Sequence, residues 1–481
     1  MQEKPAETGG MRFGKRGGAM FKLYYQPQCR WFGDCMPFGR GEKFYLYHQR
    51  DSRKPCPCGE PFGWHLSTTS DFVAYEDLGV AIPRGGDEEQ DQYIFAGSVL
   101  EAQDGSFHAF YTGYNRDYPQ LGKASQVVMH AVSDDLKQWK KNALAFPPQE
   151  GYDPDDWRDP FVLWDEEGFR YVLLLGARRE GPKTRLSGCT VWYTSRDLDT
   201  WEFQGDFWAP GLYTMHEMPD LFRIGDWWYH VISEYSDRNR TVYRMGKSIT
   251  GPWFKPEDDC FDGRAYYAGR TFCLGNRRIL FGWVPTKEDC DDTKNFEWAG
   301  TFVPHELFQR PDGTLGVKPP ETVRAAFAEG ARIPDSTACR EDGRTLSVLS
   351  RGCGDFFKFE ADLSFEEGTV FFGLGFCGDS GTESFYQFRF LCGENRFLFE
   401  KSPNIPWYAC MNLGLERPIP LVPGEKYHVV LLVDGSIATL YVDGVAMNAR
   451  MYQKEGEELC LFVSGGSAAV ENAVISRELK N

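Results

Sequence analysis

Hydrophobic and polar positions along this chain alternate in short stretches, which Gly, Asp or Pro residues interrupt about every ten positions. The stretches are rich in aromatic and β-branched residues, which are typical of β-strands, and the 3.6-residue periodicity of helices is nearly absent. The pattern therefore predicts an all-β protein.

One unit, a turn followed by a strand with alternating aromatic residues, recurs five times. Its strands start at Phe44, Phe107, Phe169, Trp227 and Arg277, so the copies are 63, 62, 58 and 50 residues apart. Later in the first four units a Ser residue opens a second turn, at Ser70, Ser133, Ser195 and Ser248. A repeat of this length with about four strands predicts the blades of a β-propeller.

The repeats divide the chain into regions. We expect a five-bladed propeller over residues 21–317, preceded by a flexible leader over residues 1–20. Strands joined by tight turns follow from residue 341 to 481 and predict a β-sandwich. Residues 318–340, which include two successive prolines, form the predicted connector.

Composition and charge exclude several classes of protein. With 42% hydrophobic and 15% aromatic residues the chain is not disordered, and a net charge of −17 argues against a nucleic-acid partner. No apolar window is long enough to span a membrane, so we expect no membrane partner. Fourteen scattered cysteines and no apolar leader favour a reduced, cytoplasmic protein, and the cysteine spacing fits no common zinc site.

Three of the five units carry a carboxylate at the same position. Ten residues before the strand starts lie Asp34, Asp159 and Glu217, whereas the other two units have Gly97 and Tyr267 there. The first strand of each propeller blade lines the central channel, so equivalent positions converge on the axis. The sequence thus predicts a cluster of three carboxylates.

Carboxylates in a cluster repel one another, so at least one of them holds its proton at neutral pH. One carboxylate and one carboxylic acid are what cleavage of a glycosidic bond requires. Arg158 would keep Asp159 ionised, and aromatic rings would stack on a sugar. Those rings are Trp31, Trp64, Trp157, Tyr266 and Tyr267. Two other interpretations are that Asp34 and Asp159 cap turns, or that the three carboxylates bind calcium, although no local loop supplies six to eight oxygen ligands.

At these positions the chain resembles family-32 glycoside hydrolases, the β-fructosidase family of invertases, inulinases and levanases. The matching motifs are Trp157-Arg158-Asp159-Pro160-Phe161, Glu217-Met218-Pro219-Asp220-Leu221-Phe222, Phe95-Ala96-Gly97-Ser98, Tyr266-Tyr267-Ala268 with Gly282-Trp283, and Trp64-His65. The similarity covers residues from about 21 to 475.

The resemblance implies a role for each carboxylate. Asp34 would be the nucleophile, Glu217 the acid/base and Asp159 the stabiliser of the transition state, with net retention of configuration and no cofactor or metal. The substrate would be a small carbohydrate, namely sucrose, a phosphorylated sucrose or a short fructo-oligosaccharide. The implied substrate-binding residues are Trp31, Trp64, Phe95, Ser98, Arg158, Tyr267 and Trp283.

The chain departs from the family around the nucleophile. The family signature is Trp-Met-Asn-Asp-Pro-Asn-Gly, and this chain has Trp31-Phe32-Gly33-Asp34-Cys35-Met36-Pro37. Both asparagines are lost, Ala265 stands where an Asp is usual, and Met218 replaces the Cys after the acid/base. The loop over residues 54–62, with Cys56 and Cys58, is expected near the pocket.

Two other functions therefore stay open. A propeller with three axial carboxylates also resembles the inverting family-43 arabinofuranosidases and xylosidases. A carbohydrate-binding protein that kept the three carboxylates but lost turnover is the other alternative. The C-terminal sandwich resembles a lectin fold; we expect it to support the propeller, and it could form the interface of a homodimer.

Overall fold

The computed structural model describes residues 21–55, 58–236, 238–403 and 413–480. The predicted leader, residues 1–20, and Cys56 lie outside the described residues. The described chain consists almost entirely of antiparallel strands, as the alternating pattern predicts.

Strands β1 to β19 form the N-terminal region. They are β1 (Trp31–Arg40), β2 (Lys43–Asp51), β3 (Trp64–Thr69), β4 (Glu76–Ile82), β5 (Tyr93–Glu101), β6 (Phe107–Tyr114), β7 (Gln126–Ser133), β8 (Lys140–Phe146), β9 (Tyr152–Asp165), β10 (Arg170–Arg179), β11 (Gly188–Ser195), β12 (Trp201–Trp208), β13 (Met215–Ile224), β14 (Trp227–Tyr235), β15 (Thr241–Gly246), β16 (Tyr267–Leu274), β17 (Arg277–Lys287), β18 (Phe296–Gln309) and β19 (Leu315–Lys318). Short 3₁₀ turns lie at Tyr118–Leu121 and Glu288–Cys290.

Consecutive strands pair as hairpins within five groups: β1–β4, β5–β8, β9–β12, β13–β15 and β16–β18. The repeated strand found in the sequence is the second strand of each group, namely β2, β6, β10, β14 and β17. In the described residues the fourth group has three strands rather than the expected four, whereas β19 pairs with β18 and gives the fifth group a fourth strand. The fifth group joins the first, because β18 pairs with β1 at Gly300 and Phe32.

The first strands of the five groups contact one another in a closed order. Strand β1 contacts β5, β5 contacts β9, β9 contacts β13, β13 contacts β16, and β16 contacts β1. The residues that lie ten positions before the start of each repeated strand are therefore on neighbouring strands around one centre. This arrangement brings together side chains that are up to 233 residues apart in the sequence, from Asp34 to Tyr267 (267 − 34).

Turns between the third and fourth strands have a common structure in the first three groups. The hydroxyl of Ser133 accepts a hydrogen bond from the N–H of Leu136 at 3.0 Å, and Ser195 does the same for Leu198 at 2.9 Å. Leu136 and Leu198 both have φ near 65°, at 64° and 65°. In the first group Thr69, and not the predicted Ser70, has this role: its Oγ1 accepts a hydrogen bond from the N–H of Phe72 at 2.9 Å, and Phe72 has a φ of 61°. The recurring motif thus marks a turn that starts the outer strand of a group.

The C-terminal region forms a separate sheet system. A short helix, α1 (Glu321–Ala325), leads to β20 (Ala331–Arg332), β21 (Ser336–Ser350), β22 (Phe356–Phe365), β23 (Phe371–Asp379), β24 (Ser384–Leu391), β25 (Arg396–Ser402), β26 (Glu416–Pro418), β27 (Tyr427–Asp434), β28 (Ile437–Val442), β29 (Val445–Arg450) and β30 (Glu458–Ser476), with a 3₁₀ turn at Cys392–Glu394. The long strand β30 pairs with β20, β21, β22 and β23. Strand β21 begins at Ser336, before the expected start of this region at residue 341.

The two regions share buried polar contacts. His305 Nε2 lies 3.0 Å from Asp262 Oδ2, and the same carboxylate accepts a hydrogen bond from Asn448 Nδ2 at 2.6 Å. Arg450, from β29, donates to the carbonyl of Val284 at 2.7 Å. Because these groups are buried and paired, the C-terminal sheet is attached firmly to the strands that carry Trp283 and Trp298.

No helix in the described ranges is long and apolar enough to cross a membrane. Within the same ranges, His, Cys, Asp and Glu side chains form no group of three or more that could hold a metal ion.

Candidate active site

Each of the five first strands departs from regular pairing at a corresponding point, and β9 has a second shift nearer its start. The register shifts lie between Phe32 and Cys35, Ile94 and Gly97, Glu217 and Asp220, Tyr267 and Arg270, and at Asp159–Pro160 opposite Leu174 and Gly176. Bulges of this kind bend a strand and turn one side chain away from the sheet. Here they aim Asp34, Phe95, Asp159, Met218 and Ala268 at one pocket.

The backbone is strained at three of these bulges. Asp159, Met218 and Ala268 have φ values of 65°, 51° and 55°, in the left-handed region that residues with a Cβ rarely adopt. Strain of this kind persists only where the surrounding structure holds it, and it concentrates at functional sites. The pocket they surround has a volume of about 790 Å³, which suits a small ligand.

Asp34 lies on the pocket wall between an indole and an amide. Its Oδ1 accepts a hydrogen bond from Trp283 Nε1 at 3.0 Å. With the Gln49 amide oriented so that its oxygen accepts from the N–H of Ala96 at 2.9 Å, its nitrogen donates to Asp34 Oδ2 at 3.2 Å. Both carboxylate oxygens of Asp34 are therefore held in place.

Asp159 is oriented by the backbone. Its Oδ2 accepts a hydrogen bond from the N–H of Met218 at 3.0 Å, and its own N–H donates to Thr112 Oγ1 at 2.9 Å. Only 3% of Asp159 is exposed. This carboxylate is therefore fixed beside Glu217, the residue that precedes Met218.

Glu217 is held by two side chains that the sequence singles out. Arg158 bonds Glu217 Oε1 through Nη2 and through Nε, the latter at 3.2 Å, and the hydroxyl of Tyr267 donates to Glu217 Oε2 at 2.5 Å. Arg158 also bonds Asp156 at 2.8 Å. The sequence predicts that Arg158 keeps Asp159 ionised; in the structure Arg158 bonds Glu217 directly, and its charge lowers the pKa of Asp159.

Burial and neighbouring charges raise the pKa of two of the carboxylates, Asp34 and Asp159. Burial, followed by the charge of Asp159, raises the pKa of Asp34 to about 8. Burial also raises the pKa of Asp159 to about 6, although the charge of Arg158 lowers it. The cluster therefore retains a proton near neutral pH, so one member is a carboxylic acid while another is ionised.

A buried guanidinium supports the cluster from behind, and the sequence reasoning missed it. Arg270 is 1% exposed and donates to the carbonyl of Gly97 at 2.6 Å, of Pro160 at 3.1 Å and of Asp159 at 3.2 Å. It thereby joins the first strands of three groups. The sequence signal was a charged residue, Arg270, inside an otherwise uncharged strand.

The structure separates the predicted substrate-binding residues into two sets. Phe95, Arg158, Tyr267 and Trp283 line the pocket together with the three carboxylates. Trp64 and Ser98 are instead buried behind it: Trp64 Nε1 donates to the carbonyl of Phe95 at 2.9 Å, and Ser98 Oγ accepts from the N–H of Val162 at 3.0 Å. Both position pocket strands rather than contacting a ligand.

The expectation for the remaining aromatic rings needs correction. Trp157 and Tyr266 are fully buried and donate to the carbonyls of Phe146 and Val303, so neither presents a face to the pocket. Trp31 is not part of the pocket wall either; the guanidinium of Arg53 covers its ring at 4.4 Å. The sequence reasoning identified aromatic residues near the site but not which of them face the pocket.

The raised pKa of Asp34 predicts that Asp34→Asn stabilises the protein at neutral pH. The native state binds the Asp34 proton more tightly than the unfolded state, so stability falls as the pH rises from about 4 to about 8. Asparagine carries no charge and avoids this loss. At pH 7.5 we expect a gain of about 3–5 kcal/mol, since the pKa of Asp34 rises from about 4 to about 8 and one pKa unit corresponds to about 1.4 kcal/mol.

The test is thermal unfolding of both proteins at pH 4.5 and pH 7.5. The gain should be large at pH 7.5 and nearly absent at pH 4.5. Asp197→Asn is the control of opposite sign, because hydrogen bonds from the N–H groups of Thr200 and Asp199 lower the pKa of Asp197. Equal stability of wild type and Asp34→Asn at pH 7.5 would contradict the prediction.

Comparisons with known proteins agree with this geometry. Residues 24–315 match the model of the glycosyl hydrolases family 32 N-terminal domain. Sucrose-6-phosphate hydrolase of Escherichia coli is 24% identical over 92% of this chain and 90% of the relative. Levanbiose-producing levanase of Bacillus subtilis is also 24% identical, over 91% and 86%.

Solved structures have the same fold. Fructan 1-exohydrolase IIa from Cichorium intybus superposes with a TM-score of 0.76 at 17% identity, covering 96% of this chain and 97% of the other. Sucrose-6-phosphate hydrolase from Lactobacillus gasseri gives 0.74 at 19% identity, covering 95% and 93%. Because the family model matches more than half of the sequence, this chain belongs to family 32 of the glycosyl hydrolases.

Proposed function

We propose that this protein is a retaining glycosidase that releases terminal fructose from β-fructofuranosides. The observation that carries the proposal is the convergence of Asp34, Asp159 and Glu217 from three strand groups on one pocket wall. Arg158 and Tyr267 orient Glu217, and Trp283 orients Asp34. A carbohydrate-binding protein without turnover would not need this set of oriented carboxylates.

In the first step, the ionised carboxylate of Asp34 attacks the anomeric carbon of the fructosyl unit. A bond forms between this carbon and a carboxylate oxygen, and the glycosidic bond breaks. Glu217 supplies the proton that the leaving oxygen takes up. Because the pKa of Asp34 is raised to about 8, the proton of the cluster has to leave Asp34 before attack.

In the second step, water attacks the same carbon and gives its proton to Glu217. The bond to Asp34 breaks, and its electron pair returns to the carboxylate. Two displacements on opposite faces give net retention of configuration. Asp159, fixed by the N–H of Met218, stabilises the oxocarbenium-like transition state by bonding sugar hydroxyls.

The candidate substrates are sucrose, a phosphorylated sucrose and short fructo-oligosaccharides. The names of the relatives, which include sucrose-6-phosphate hydrolases and levanases, support this range. The pocket volume of about 790 Å³ suits a terminal sugar and a short leaving group.

We also propose that the N-terminal region is a five-bladed propeller and the C-terminal region a β-sandwich. The closed order of contacts among the five first strands supports the blade count. The sheet arrangement of β20 to β30 supports the sandwich. The proposed domains are residues 21–317 and 341–481, joined by residues 318–340, which include α1.

The experiment is a hydrolysis screen followed by chromatography of the products. The substrates are sucrose, sucrose 6-phosphate, 1-kestose, inulin and levanbiose, with aryl arabinofuranoside and aryl xyloside as competitors and Glu217→Ala as the blank. We expect wild type to release fructose and the variant to release none. Proton NMR of the first product formed should show the configuration of the substrate.

Each other outcome identifies an alternative. Release of arabinose or xylose with inversion would replace the proposal with a family-43-like activity. Sugar binding without release from any substrate would indicate a binding protein. Fructose release by Glu217→Ala at the wild-type rate would refute the assignment of the acid/base.

A further inference from the structure

We propose that Trp298 is a specificity-determining residue that forms the pocket wall beside Asp34, and that Gly33 is a glycine in order to make room for it. This inference rests on the proposed function, because it concerns the sugar that Asp34 attacks. Trp298 was not among the residues that the sequence singled out.

The first observation concerns Gly33, the residue before Asp34. Its φ is not positive, so the backbone does not require glycine here. A Cβ at this position would lie 2.9 Å from Cη2 and 3.1 Å from Cζ2 of Trp298, and 3.0 Å from the Cβ of Gln49. The indole of Trp298 therefore occupies the space into which any side chain at position 33 would project.

The second observation is that Trp298 faces the pocket. It lines the cavity together with Asp34 and Trp283, and it is only partly buried. Its ring meets the ring of Trp283 edge to face, with centroids 6.3 Å apart and planes at 76°. Trp283 in turn donates to Asp34, so the two indoles form a continuous wall beside the nucleophile.

The third observation is that the position of Trp298 is fixed. Phe62 stacks on its ring, with centroids 6.2 Å apart and an angle of 12° between the planes. Arg53 donates to the carbonyl of Trp298 and, at 3.3 Å, to that of Ala299. Ala299 has a φ of 63°, which kinks β18 at this point. A ring held in this way cannot move aside at low cost when position 33 gains a side chain.

An indole face recognises a sugar differently from a polar side chain. It packs against the C–H groups of the ring and bonds no hydroxyl. A pocket wall that packs against the sugar without bonding its hydroxyls contributes affinity and orients the ring. Orientation matters for the rate, because a shift of about 1 Å in the sugar can lower the rate by a factor of about 100. We infer that Trp298 orients the terminal furanose for attack by Asp34.

The test is a double-mutant cycle with Gly33→Ala, Trp298→Ala and the double variant. We expect Trp298→Ala to lower kcat/KM by about 10- to 100-fold, mainly through KM, and Gly33→Ala to lower it about tenfold. In the double variant Gly33→Ala should cost clearly less than it does in the presence of Trp298, because the clash with the indole is removed and only the 3.0 Å contact with the Cβ of Gln49 stays. Gly39→Ala is the matched control: it lies on the same strand and meets Phe272 at 2.7 Å, away from the pocket, so it should leave KM unchanged.

Two results would overturn the inference: an equal cost of Gly33→Ala with and without Trp298, or an unchanged KM in Trp298→Ala. If Trp298→Ala does not fold, Trp298→Phe takes its place in the cycle. Should wild type hydrolyse an arabinofuranoside or xyloside but no fructoside, the proposed function fails, and the same cycle on that glycoside still tests Trp298. A wild type that hydrolyses none of the glycosides would overturn both proposals.

Discussion

Replacing Asp34 with alanine is expected to lower kcat about 10⁴-fold or more, since the proposed mechanism loses the group that attacks the anomeric carbon. In the described residues the Asp34 carboxylate bonds the side chains of Trp283 and Gln49. The fold should persist without these two hydrogen bonds. Initial rates on the best fructoside of the screen measure the effect.

Azide provides a sharper test of the same residue. The alanine side chain leaves space for a small anion beside the anomeric carbon, and azide can attack without proton transfer. We expect azide to restore turnover in Asp34→Ala and to yield a fructosyl azide of inverted configuration. Asp197→Asn, on an exposed outer turn, should keep the wild-type rate with and without azide. Wild-type turnover by Asp34→Ala, or rescue with retained configuration, would refute the assignment of the nucleophile.

Replacing Glu217 with glutamine should have the second-largest effect, about 10²- to 10⁴-fold on kcat for sucrose. The amide oxygen still accepts from Arg158, and the amide nitrogen donates to the Tyr267 hydroxyl instead of accepting from it, but the amide supplies no proton to the leaving oxygen. A β-fructofuranoside with a phenolic leaving group needs no such proton, so its first step should be nearly unaffected. Its second step, which needs a base to activate water, should become limiting.

The signature of this variant is a burst of phenol followed by slow turnover. Mass spectrometry of the intact protein should detect the fructosyl unit attached to Asp34. Glu202→Gln, exposed on β12, is the control and should show neither the burst nor a loss of rate. Equal losses for sucrose and for the phenolic substrate would show that Glu217 acts through the structure of the site and not as an acid/base.

Together with a higher stability of Asp34→Asn, these results would show that the buried carboxylate lowers the stability of the protein and is needed for activity. Burial keeps the pKa of Asp34 at about 8, which is unfavourable for an isolated carboxylate at neutral pH. In the proposed mechanism, the same low-dielectric surroundings strengthen the interactions of Asp34 with the charge that develops on the sugar. A variant with higher stability and no turnover would be direct evidence for this relation.

Much of the architecture was predictable because repeats and alternation are local properties. We counted ten residues back from the start of each repeated strand and reached Asp34, Asp159 and Glu217. In the structure these residues lie at matching places on β1, β9 and β13. The same count reached Gly97 on β5, whereas the bulge there turns Phe95 to the pocket. Bulges shift the register by one residue and depend on the neighbouring strands, so the count cannot detect them.

The sequence by itself determined the all-β fold, the five repeated units and the three carboxylates that converge, because strand periodicity and turn residues act within a few positions of the chain. Only the tertiary structure decided which side chains face the pocket. It buried Trp64, Trp157 and Tyr266 and brought Arg270 beneath the carboxylates. It also set Trp298 against Gly33, 265 residues away (298 − 33). Contacts between residues so distant in sequence depend on how whole sheets pack, and no local pattern records that packing.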